Sequence, residues 1–319
     1  MAPAGDASGV AVGAAPAPLV TVVVATFNSR RTLACALDSV RRQTCDDFEV
    51  QVVGDACTDG SEAVVAALGD ARFQWTNLAR NSGSQSGPNN DALRRARGRY
   101  VAYLGHDDLW FPWHLEVLAD LASRDGAGFV HGLGVLIEPD GVLASGPPRR
   151  GASYRGHFVP PTNWLVERAL LERVGPWRAW ADLGWPADVD MIDRIAATGT
   201  RIGCAPRLTT IKFPSAAWRA YAADAPRPQI AMNAQMADDA GLLAARLLCD
   251  VAAEHARVTF PTWAPPPTLL WRDVGRRARA ALGATLRNLQ TAPVLGTLLR
   301  WRFQRLRRRA GVRRGLLPR

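Results

Sequence analysis

The fold is decided by residues 19–28, which read LVTVVVATFN. The first seven are uncharged and rich in valine, a pattern typical of a strand buried on both faces of a parallel sheet. Further strands are predicted at residues 48–53, 72–76 and 100–104, with a helical pattern or a polar loop before each. This alternation predicts an α/β fold with a doubly wound, mostly parallel sheet flanked by helices.

Polar residues follow three of these strands, at the end where such sheets bind ligands. They lie at residues 26–28 (TFN), at Asp55 and at residues 105–108 (GHDD). Because the carboxyl ends of parallel strands share one edge of the sheet, the three clusters predict a binding site. The adjacent carboxylates of Asp107 and Asp108 repel each other unless a cation such as Mg²⁺ or Mn²⁺ offsets them. The alternative is an exposed acidic turn before the next helix.

Other candidate residues also have two interpretations. Asp55 either accepts a hydrogen bond from the base or ribose of a nucleotide or is an ordinary turn aspartate. Phe27 either stacks on a base or packs in the core. Asp188, in the stretch ADVDMIDR at residues 187–194, is either a general base or an acid that complements a helix dipole. His106 adjoins the carboxylate pair, but a metal site built from oxygen ligands does not require an imidazole.

Three stretches in this order resemble one protein family. They are VTVVVATFNSRRTLACALDSVRRQT at residues 20–44, FEVQVVGDACTDGS at residues 48–61 and ALRRARGRYVAYLGHDDLWFP at residues 92–112. Together they are similar to the opening strand and helix, the acidic turn and the metal-binding segment of family 2 glycosyltransferases, which have the GT-A fold. The likeness is strong over residues 18–113 and weaker to about residue 214.

The resemblance implies a metal-dependent, inverting glycosyltransferase. Such an enzyme moves a sugar from a nucleotide-diphospho-sugar to a hydroxyl of a glycan or lipid-linked acceptor, and a bacterial surface polysaccharide is the implied product class. Thr26, Phe27 and Asn28 match residues that line the base pocket of the family. Asp55 matches the aspartate that recognises the nucleobase.

The resemblance also assigns the reaction chemistry. Asp107 and Asp108 match the pair that holds the ribose and a Mn²⁺ or Mg²⁺ ion, with Asp108 expected to be the more direct metal ligand. Asp188 matches the aspartate that takes the proton from the acceptor hydroxyl as its oxygen attacks the anomeric carbon. One base and one metal ion suffice for a single displacement with inversion.

Three positions depart from the family pattern. Gly54 stands where the first acid of a pair is usual, and Ala187 stands where a glutamate often precedes the base. Asn89 stands where an arginine that assists the diphosphate is frequent. The last change implies either weaker donor binding or another cation.

Three cations are candidates for that role. They are Lys212, which is the only lysine of the chain, Arg94 and Arg95. Each is alternatively a structural or surface charge.

The chain divides by composition into four segments. They are a disordered leader at residues 1–18, a GT-A domain at residues 19–220, a helical segment at residues 221–260 and a proline-rich linker with a basic amphipathic tail at residues 261–319. The formal net charge is +10, and residues 271–319 carry fourteen arginines and one acid. Because leucine, tryptophan and phenylalanine interleave with these arginines, the tail is predicted to dock on an anionic membrane surface. The alternative is a solvated or packed basic extension.

The same features favour a cytoplasmic protein, with the tail on the inner face of the membrane. No uncharged run free of proline is long enough to span a bilayer. The chain has five cysteines, an odd number, and no Cys-x-x-Cys pair, as expected for reduced thiols. No nucleic-acid-binding motif accompanies the basic charge, so no nucleic-acid partner is expected.

Two rival functions remain open. A sugar nucleotidyltransferase also joins an α/β sheet to a metal and a nucleotide, but it usually has a glycine- and arginine-rich loop after the first strand, where this chain has ATFNSRRT. A non-catalytic subunit that binds a nucleotide sugar would tolerate the absence of arginine at Asn89.

Overall fold

The computed structural model describes residues 16–183, 186–222 and 227–259. The leader predicted at residues 1–18 lies almost wholly outside the described residues. The linker and basic tail predicted at residues 261–319 lie outside them entirely. The described residues comprise the sheet, its helices and the first part of the C-terminal region.

Within the described residues, the central sheet has nine strands. They are β1 (Val20–Thr26), β2 (Phe48–Gly54), β3 (Phe73–Asn77), β4 (Tyr100–Gly105), β5 (Leu109–Trp110), β6 (Phe129–Glu138), β7 (Gly141–Ser145), β8 (Trp164–Glu167) and β9 (Ile202–Lys212). The strand order is β3-β2-β1-β4-β8-β6-β9-β5, and β7 pairs with β6.

The α-helices flank this sheet. They are α1 (Arg30–Arg41), α2 (Ser61–Ala66), α3 (Ser86–Arg95), α4 (His114–Asp125), α5 (Arg168–Val174), α6 (Ala187–Ala197) and α7 (Pro228–Thr259). Helix α7 has a non-helical residue at Asp239, where the carboxylate accepts a hydrogen bond from Leu242 N at 2.8 Å and so caps the second part of the helix.

The first half of the sheet is parallel, as the sequence predicts. Strands β3, β2, β1 and β4 run in one direction, and Val20 of β1 is in register with Phe48 of β2 and Tyr100 of β4. Alternate residues of β1 face different cores. Val22 packs with Leu33 in the cluster that includes α1 and α4, whereas Val23 packs with Tyr103 in the cluster on the other face. Because β1 is buried on both faces, polar and apolar residues do not alternate along it.

The second half of the sheet is mixed. Strand β8 is antiparallel to both β4 and β6, β9 is parallel to β6, and β5 is antiparallel to β9. The segment between Gly105 and Leu109 is too short for the crossover that a parallel partner requires, so β5 leaves the parallel set. The α/β fold class is confirmed, with parallel pairing concentrated in the first four strands.

Helix α7 lies within the helical segment that was predicted at residues 221–260. It packs against α1 and β7. Asn233 donates a hydrogen bond to Asp38 of α1 at 2.8 Å, and Met236 and Leu243 join the core cluster that contains Phe213. Among the residues that the structure describes, no helix combines the length and hydropathy needed to cross a bilayer.

Candidate functional site

A cavity opens at the carboxyl ends of β1, β2 and β4, the edge that the sequence singles out. It brings together six side chains that could bind a charged, hydroxylated ligand. They are Thr26, Phe27, Asp55, Asp107, Asp108 and Lys212. Because four of the six are ionisable, the electrostatics of this cavity determine what it can hold.

The carboxylate pair follows β4, and its two members have different surroundings. Both oxygens of Asp108 are engaged: Oδ2 faces Lys212 Nζ at 3.0 Å, and Oδ1 accepts a hydrogen bond from Phe213 N at 2.9 Å. The Oδ2 atom of Asp107 accepts a bond from Ser215 Oγ at 2.5 Å. Asp108 was expected to be the more direct metal ligand, but the Lys212 ammonium competes with a metal ion for its oxygen. Asp107 has more oxygen lone pairs available for a metal ion than Asp108 has.

Burial and charge act in opposite directions on Asp108. The side chain of Asp108 is 1% exposed, and this burial raises its pKa to about 6 although the Lys212 ammonium favours ionisation. Burial disfavours the charge on Lys212, but the carboxylates of Asp108 and Asp107 more than compensate and raise its pKa. We assign Asp108 and Lys212 as an ion pair at neutral pH, because neutralising either group would leave the charge of the other buried and unpaired.

Gly105 makes room for this ion pair. A Cβ atom at this position would lie 2.6 Å from Asp108 Oδ2 and 3.1 Å from Asp107 Oδ1. Gly54, at the end of β2, is restricted for a similar reason, because a Cβ atom there would lie 2.5 Å from Asn77 Oδ1. A side chain at position 54 would therefore crowd Asn77.

Asp55 orders the polar loop before α3. Its Oδ1 accepts a hydrogen bond from Ser82 N at 2.8 Å, and its Oδ2 accepts one from Ser82 Oγ at 3.0 Å. Burial raises the pKa of Asp55, while hydrogen bonds from Ser82 and Gly83 act against that shift. Asp55 lines the cavity, so it both shapes the loop and offers acceptor atoms to a ligand.

The three residues after the core of β1 do not share one role. Thr26 is buried and Phe27 is partly exposed, and both line the cavity. The Phe27 ring lies 6.3 Å from the Tyr221 ring, measured between centroids. Asn28 is exposed, and its Oδ1 accepts a hydrogen bond from Thr58 N at 2.8 Å. Asn28 thus braces the neighbouring loop and does not line the cavity.

Asp188 lies in the first turn of α6 with Asp190. Asp190 is paired with Arg178 at 3.2 Å and with Arg194 at 2.9 Å. Asp193, later in the helix, accepts a hydrogen bond from Gly156 N at 2.6 Å. The charge of Asp188 contributes to the raised pKa of Lys212. Asp188 is not one of the residues that line the cavity, so its connection to the site is this charge interaction with Lys212.

The structure distinguishes the three candidate cations. Arg94 and Arg95 of α3 form ion pairs with Asp91, and Arg95 also donates to Gln51 Oε1 at 3.0 Å. Neither lines the cavity, whereas Lys212 does. Among the cavity-lining residues within the described part of the chain, Lys212 is the only lysine or arginine. Asn89 also lines the cavity, so the position that departs from the family pattern faces the site.

Sequence reasoning missed the contribution of the segment after β9. Ser215 and Tyr221 both line the cavity. Ser215 contacts a residue 108 positions earlier in the chain, and Tyr221 lies against the Phe27 and His106 rings. No spacing rule in the sequence relates such distant residues. His106, which a metal site built from oxygen ligands does not require, also lines the cavity.

The strand order, with an acidic pair after β4, defines the GT-A fold. Residues 21–175 match the family model described as Glycosyl transferase family 2, and over these residues the chain is similar to that family. The solved structure of the mannosyltransferase PcManGT from Pyrobaculum calidifontis, in complex with GDP-Man and Mn²⁺, matches 86% of this chain and 84% of its own with a TM-score of 0.52. The sequences are 22% identical, so this likeness concerns the fold.

Two curated relatives match part of the chain. One is the UDP-Glc:alpha-D-GlcNAc-diphosphoundecaprenol beta-1,3-glucosyltransferase WfgD of Escherichia coli, 26% identical over 49% of this chain and 56% of its own. The other is the succinoglycan biosynthesis protein ExoO of Rhizobium meliloti, 39% identical over 34% of this chain and 31% of its own. The matched part of the chain thus spans about half, or less, of the length of these relatives.

Proposed function

We propose that this chain is a glycosyltransferase that moves a sugar from a nucleotide-diphospho-sugar to a hydroxyl of a glycan or lipid-linked acceptor in the synthesis of a bacterial surface polysaccharide. One observation carries the proposal: the cavity at the strand ends combines Asp55, the Asp107–Asp108 pair and Lys212. The activity in the name of WfgD and the pathway in the name of ExoO support the same chemistry.

The cavity has two ends suited to different parts of a nucleotide sugar. Asp55 and Phe27 lie after β2 and β1 and offer hydrogen-bond acceptors and an aromatic face, which suit a nucleobase. Asp107 and Lys212 lie after β4 and at the end of β9, where carboxylate and ammonium groups suit a diphosphate with its counter-ion. Thr26, the last residue of β1, completes the base end.

The residues present fit a divalent cation of the Mn²⁺ or Mg²⁺ type. These ions favour carboxylate oxygens, and one or two carboxylates together with substrate phosphates are a common ligand set. Asp107 would be the principal protein ligand, because Asp108 is engaged with Lys212 and Phe213 N. Such an ion neutralises negative charge on a diphosphate leaving group. The described residues contain no cluster of three metal-ligating side chains, so the donor phosphates would complete the site.

Lys212 supplies positive charge from the chain itself. Its ammonium group balances Asp108 in the absence of donor and would lie near the phosphate on which negative charge develops as the bond to the anomeric carbon breaks. This role replaces that of the arginine expected at the position of Asn89. We therefore assign to Lys212 the stabilisation of the leaving nucleoside diphosphate.

Asp188 is the proposed general base. The acceptor oxygen forms a bond to the anomeric carbon, the bond from that carbon to the diphosphate oxygen breaks, and the hydroxyl proton passes to the Asp188 carboxylate. A single displacement of this kind inverts the configuration of the anomeric carbon. The contribution of the Asp188 charge to the raised pKa of Lys212, which lines the cavity, supports the choice of Asp188.

The location of the reaction is part of the proposal. A lipid-linked acceptor, as in the name of WfgD, would present its hydroxyl at the inner face of the cytoplasmic membrane. The basic tail predicted at residues 261–319 would then hold the enzyme at that surface through anionic lipids. Flotation with anionic liposomes should therefore require residues 261–319, and equal flotation of the full and the truncated chain would contradict a membrane role for the tail.

The first test is nucleotide binding. Thermal unfolding of the full chain is followed with UDP, GDP, dTDP and CDP, each with and without Mn²⁺. A ligand that binds the folded chain at one hundred times its Kd raises the free energy of unfolding by about 2.7 kcal/mol. We expect a Mn²⁺-dependent increase with one of these nucleotides, which Asp107→Asn removes.

Two results would oppose the proposal in different ways. If no nucleotide stabilises a folded wild-type sample with or without Mn²⁺, the proposed donor site is wrong. If a nucleotide binds but no sugar is transferred from any of its common sugar conjugates to a polyprenyl-diphosphate-linked glycan, the chain is a binding subunit. Inversion is checked by NMR of the product anomer.

A further inference from the structure

The loop that follows β7 is rich in arginine and contains no acid. We call residues 146–160, which read GPPRRGASYRGHFVP, the arginine loop. Its three arginines, Arg149, Arg150 and Arg155, are exposed. The nearest acids in the sequence are Asp140 and Glu167. The loop therefore carries a formal charge of +3 that no residue within it offsets.

Two hydrogen bonds hold the arginine loop in place. The Tyr154 hydroxyl donates to His131 Nε2 of β6 at 2.8 Å. Gly156 N donates to Asp193 of α6 at 2.6 Å. The backbone that carries the arginines is thus fixed both to the sheet and to α6.

This attachment places the loop beside the helix that carries the proposed base. Asp193 follows Asp188 by about 7.5 Å along the axis of α6. At its C-terminal end, the loop runs directly into Pro161 and Thr162, which line the cavity. An acceptor whose hydroxyl reaches Asp188 would therefore have the arginine loop next to the group that is attached to its reacting sugar.

The charge of the loop arginines is not used inside the protein. In the neighbouring segments, Arg178 and Arg194 are both paired with Asp190. Within the described part of the chain, by contrast, the side chains of the loop arginines form no ion pair and no hydrogen bond. Each guanidinium group thus keeps its donors for a ligand, and this planar set of donors matches the oxygens of a phosphate group.

We propose that the arginine loop binds the diphosphate of a lipid-linked acceptor and thereby selects acceptors in which a diphosphate follows the reacting sugar. The inference rests on the proposed function, since it assumes an acceptor at Asp188. Phe158, in the same loop, is 42% exposed and offers an apolar face to the lipid beyond the diphosphate. A neutral glycan without a lipid diphosphate would leave the charge of the loop without a partner.

A bulk membrane surface is the alternative anionic partner. Attraction to anionic lipids depends on the amount of positive charge near the surface, and residues 271–319 supply fourteen arginines for it. The arginine loop differs from this tail because its backbone is fixed beside α6, which limits the distance between its charges and the reacting hydroxyl. This fixed position favours the acceptor diphosphate.

Two variants separate the position of the charge from its amount. The loop variant combines three substitutions, Arg149→Gln, Arg150→Gln and Arg155→Gln. The control variant replaces three exposed arginines in the last turns of α1, α4 and α5, by Arg41→Gln, Arg124→Gln and Arg173→Gln. Because both variants lose three positive charges, a difference between them is due to position. Thermal unfolding verifies that both fold.

Calorimetry measures Kd for two acceptors that carry the same α-linked N-acetylglucosamine, one as the farnesyl diphosphate and the other as the octyl glycoside. Mn²⁺ and the nucleotide that stabilises the chain are present throughout, so that the donor cavity is occupied. Wild type should bind the diphosphate form more tightly. The loop variant should bind this form about tenfold more weakly, as the loss of three exposed charge contacts implies, and the glycoside unchanged. The control variant should match wild type with both acceptors.

Three results would overturn the inference and leave the proposed function in place. The first is equal affinity of wild type for the two acceptors, or no binding of either. The second is an equal loss for both acceptors, or for neither, in the loop variant. The third is weaker flotation of the loop variant than of the control variant with anionic liposomes that contain no acceptor, which would assign the loop to the membrane surface. If no nucleotide stabilises wild type, the proposed function and this inference are both wrong.

Discussion

The two halves of the sheet build the candidate site in different ways. The parallel half supplies Thr26 at the end of β1, Asp55 directly after β2 and the Asp107–Asp108 pair just beyond β4. The mixed half supplies Lys212 and, just after β9, Ser215, which reach carboxylates 104 and 108 positions earlier in the chain. The first group follows from local sequence pattern, whereas the second depends on how β9 and β5 pair.

The two halves of the sheet therefore contribute different groups to the site. The parallel half places the acids, which repel one another and would be costly to bury alone. The mixed half supplies the Lys212 ammonium, the Phe213 N–H group and the Ser215 hydroxyl, which satisfy the Asp107–Asp108 pair. We therefore expect substitutions in the mixed half to lower the free energy of unfolding, because they leave the buried acids of the parallel half without partners.

The largest effect is expected at Asp188, which belongs to neither half of the sheet. Asp188→Asn should lower the rate of sugar transfer by about 10²–10⁴-fold, because a general base contributes an effect of that size. Affinity for the nucleoside diphosphate should stay within about threefold of wild type, since Asp188 is assigned to the acceptor. Steady-state transfer rates and calorimetry measure the two quantities.

Asp193→Asn is the matched control on the same helix. Asp193 accepts a hydrogen bond from Gly156 N at 2.6 Å, so its loss should reduce stability while turnover per folded molecule is kept. A transfer rate within tenfold of wild type in Asp188→Asn would exclude Asp188 as the base.

The second prediction tests whether the mixed half stabilises the acids. Lys212→Met should lower the free energy of unfolding by about 3 kcal/mol, because it leaves the buried Asp108 carboxylate without its countercharge. The double variant Asp108→Asn with Lys212→Met should recover much of that loss, since no charge then remains unpaired. Urea unfolding of wild type, both single variants and the double variant gives the coupling free energy. Additive losses would show that the two halves stabilise the site independently.

These tests concern residues that differ in how well the sequence reveals them. The strands of the parallel half and the acids after β2 and β4 were predictable, because a run of buried residues and the polar residues at its end are contiguous. Asn28 belongs to the same segment but has an exposed bracing role, since its backbone φ of 44° is left-handed and its side chain bonds to Thr58 N. Local pattern thus located the site without assigning every residue in it.

The rest could not be predicted from one sequence. Lys212 was one of three candidate cations, and only the pairing of β9 with β5 and β6 places it beside Asp108 and sets it apart from Arg94 and Arg95. The buried His106 Nε2 atom, which has no hydrogen-bond partner in the described residues, is likewise invisible in the sequence, because hydrogen-bond satisfaction is a property of the packed chain. Long-range strand pairing and polar satisfaction are therefore the two kinds of information that the structure adds.

The third prediction concerns the space in which the two halves meet. Gly105→Ala should lower the free energy of unfolding by about 2 kcal/mol, because its Cβ would lie 2.6 Å from Asp108 Oδ2 and overpacking costs of that order are usual. Gly141→Ala is the matched control, since a Cβ there meets no atom within 4 Å. Chemical denaturation measures both. Equal losses in the two variants would show that the effect comes from backbone freedom and not from crowding of the ion pair.

The smallest effect is expected from a contact made within one segment. The His114 ring stacks on Trp110 at 4.2 Å between centroids, four positions earlier in the chain, and both ring nitrogens are buried without a partner in the described residues. Burial lowers the pKa of His114 from 6.5 to about 3. The unfolded chain therefore binds a proton that the folded chain does not between these two values, and stability falls as the pH is lowered through this window.

Substitution of His114 by phenylalanine should remove that dependence and keep the stacking on Trp110. Between pH 7 and pH 5.5, wild type should lose about 1 kcal/mol more free energy of unfolding than His114→Phe, as one histidine with this shift requires. Urea unfolding at a series of pH values gives the two curves. Parallel curves would mean that His114 is protonated in the folded chain, and the interior between β5 and α4 would then have to contain a partner for that charge. A steeper loss in wild type would confirm that this local contact is dry and neutral, in contrast to the charged, long-range contacts that complete the site.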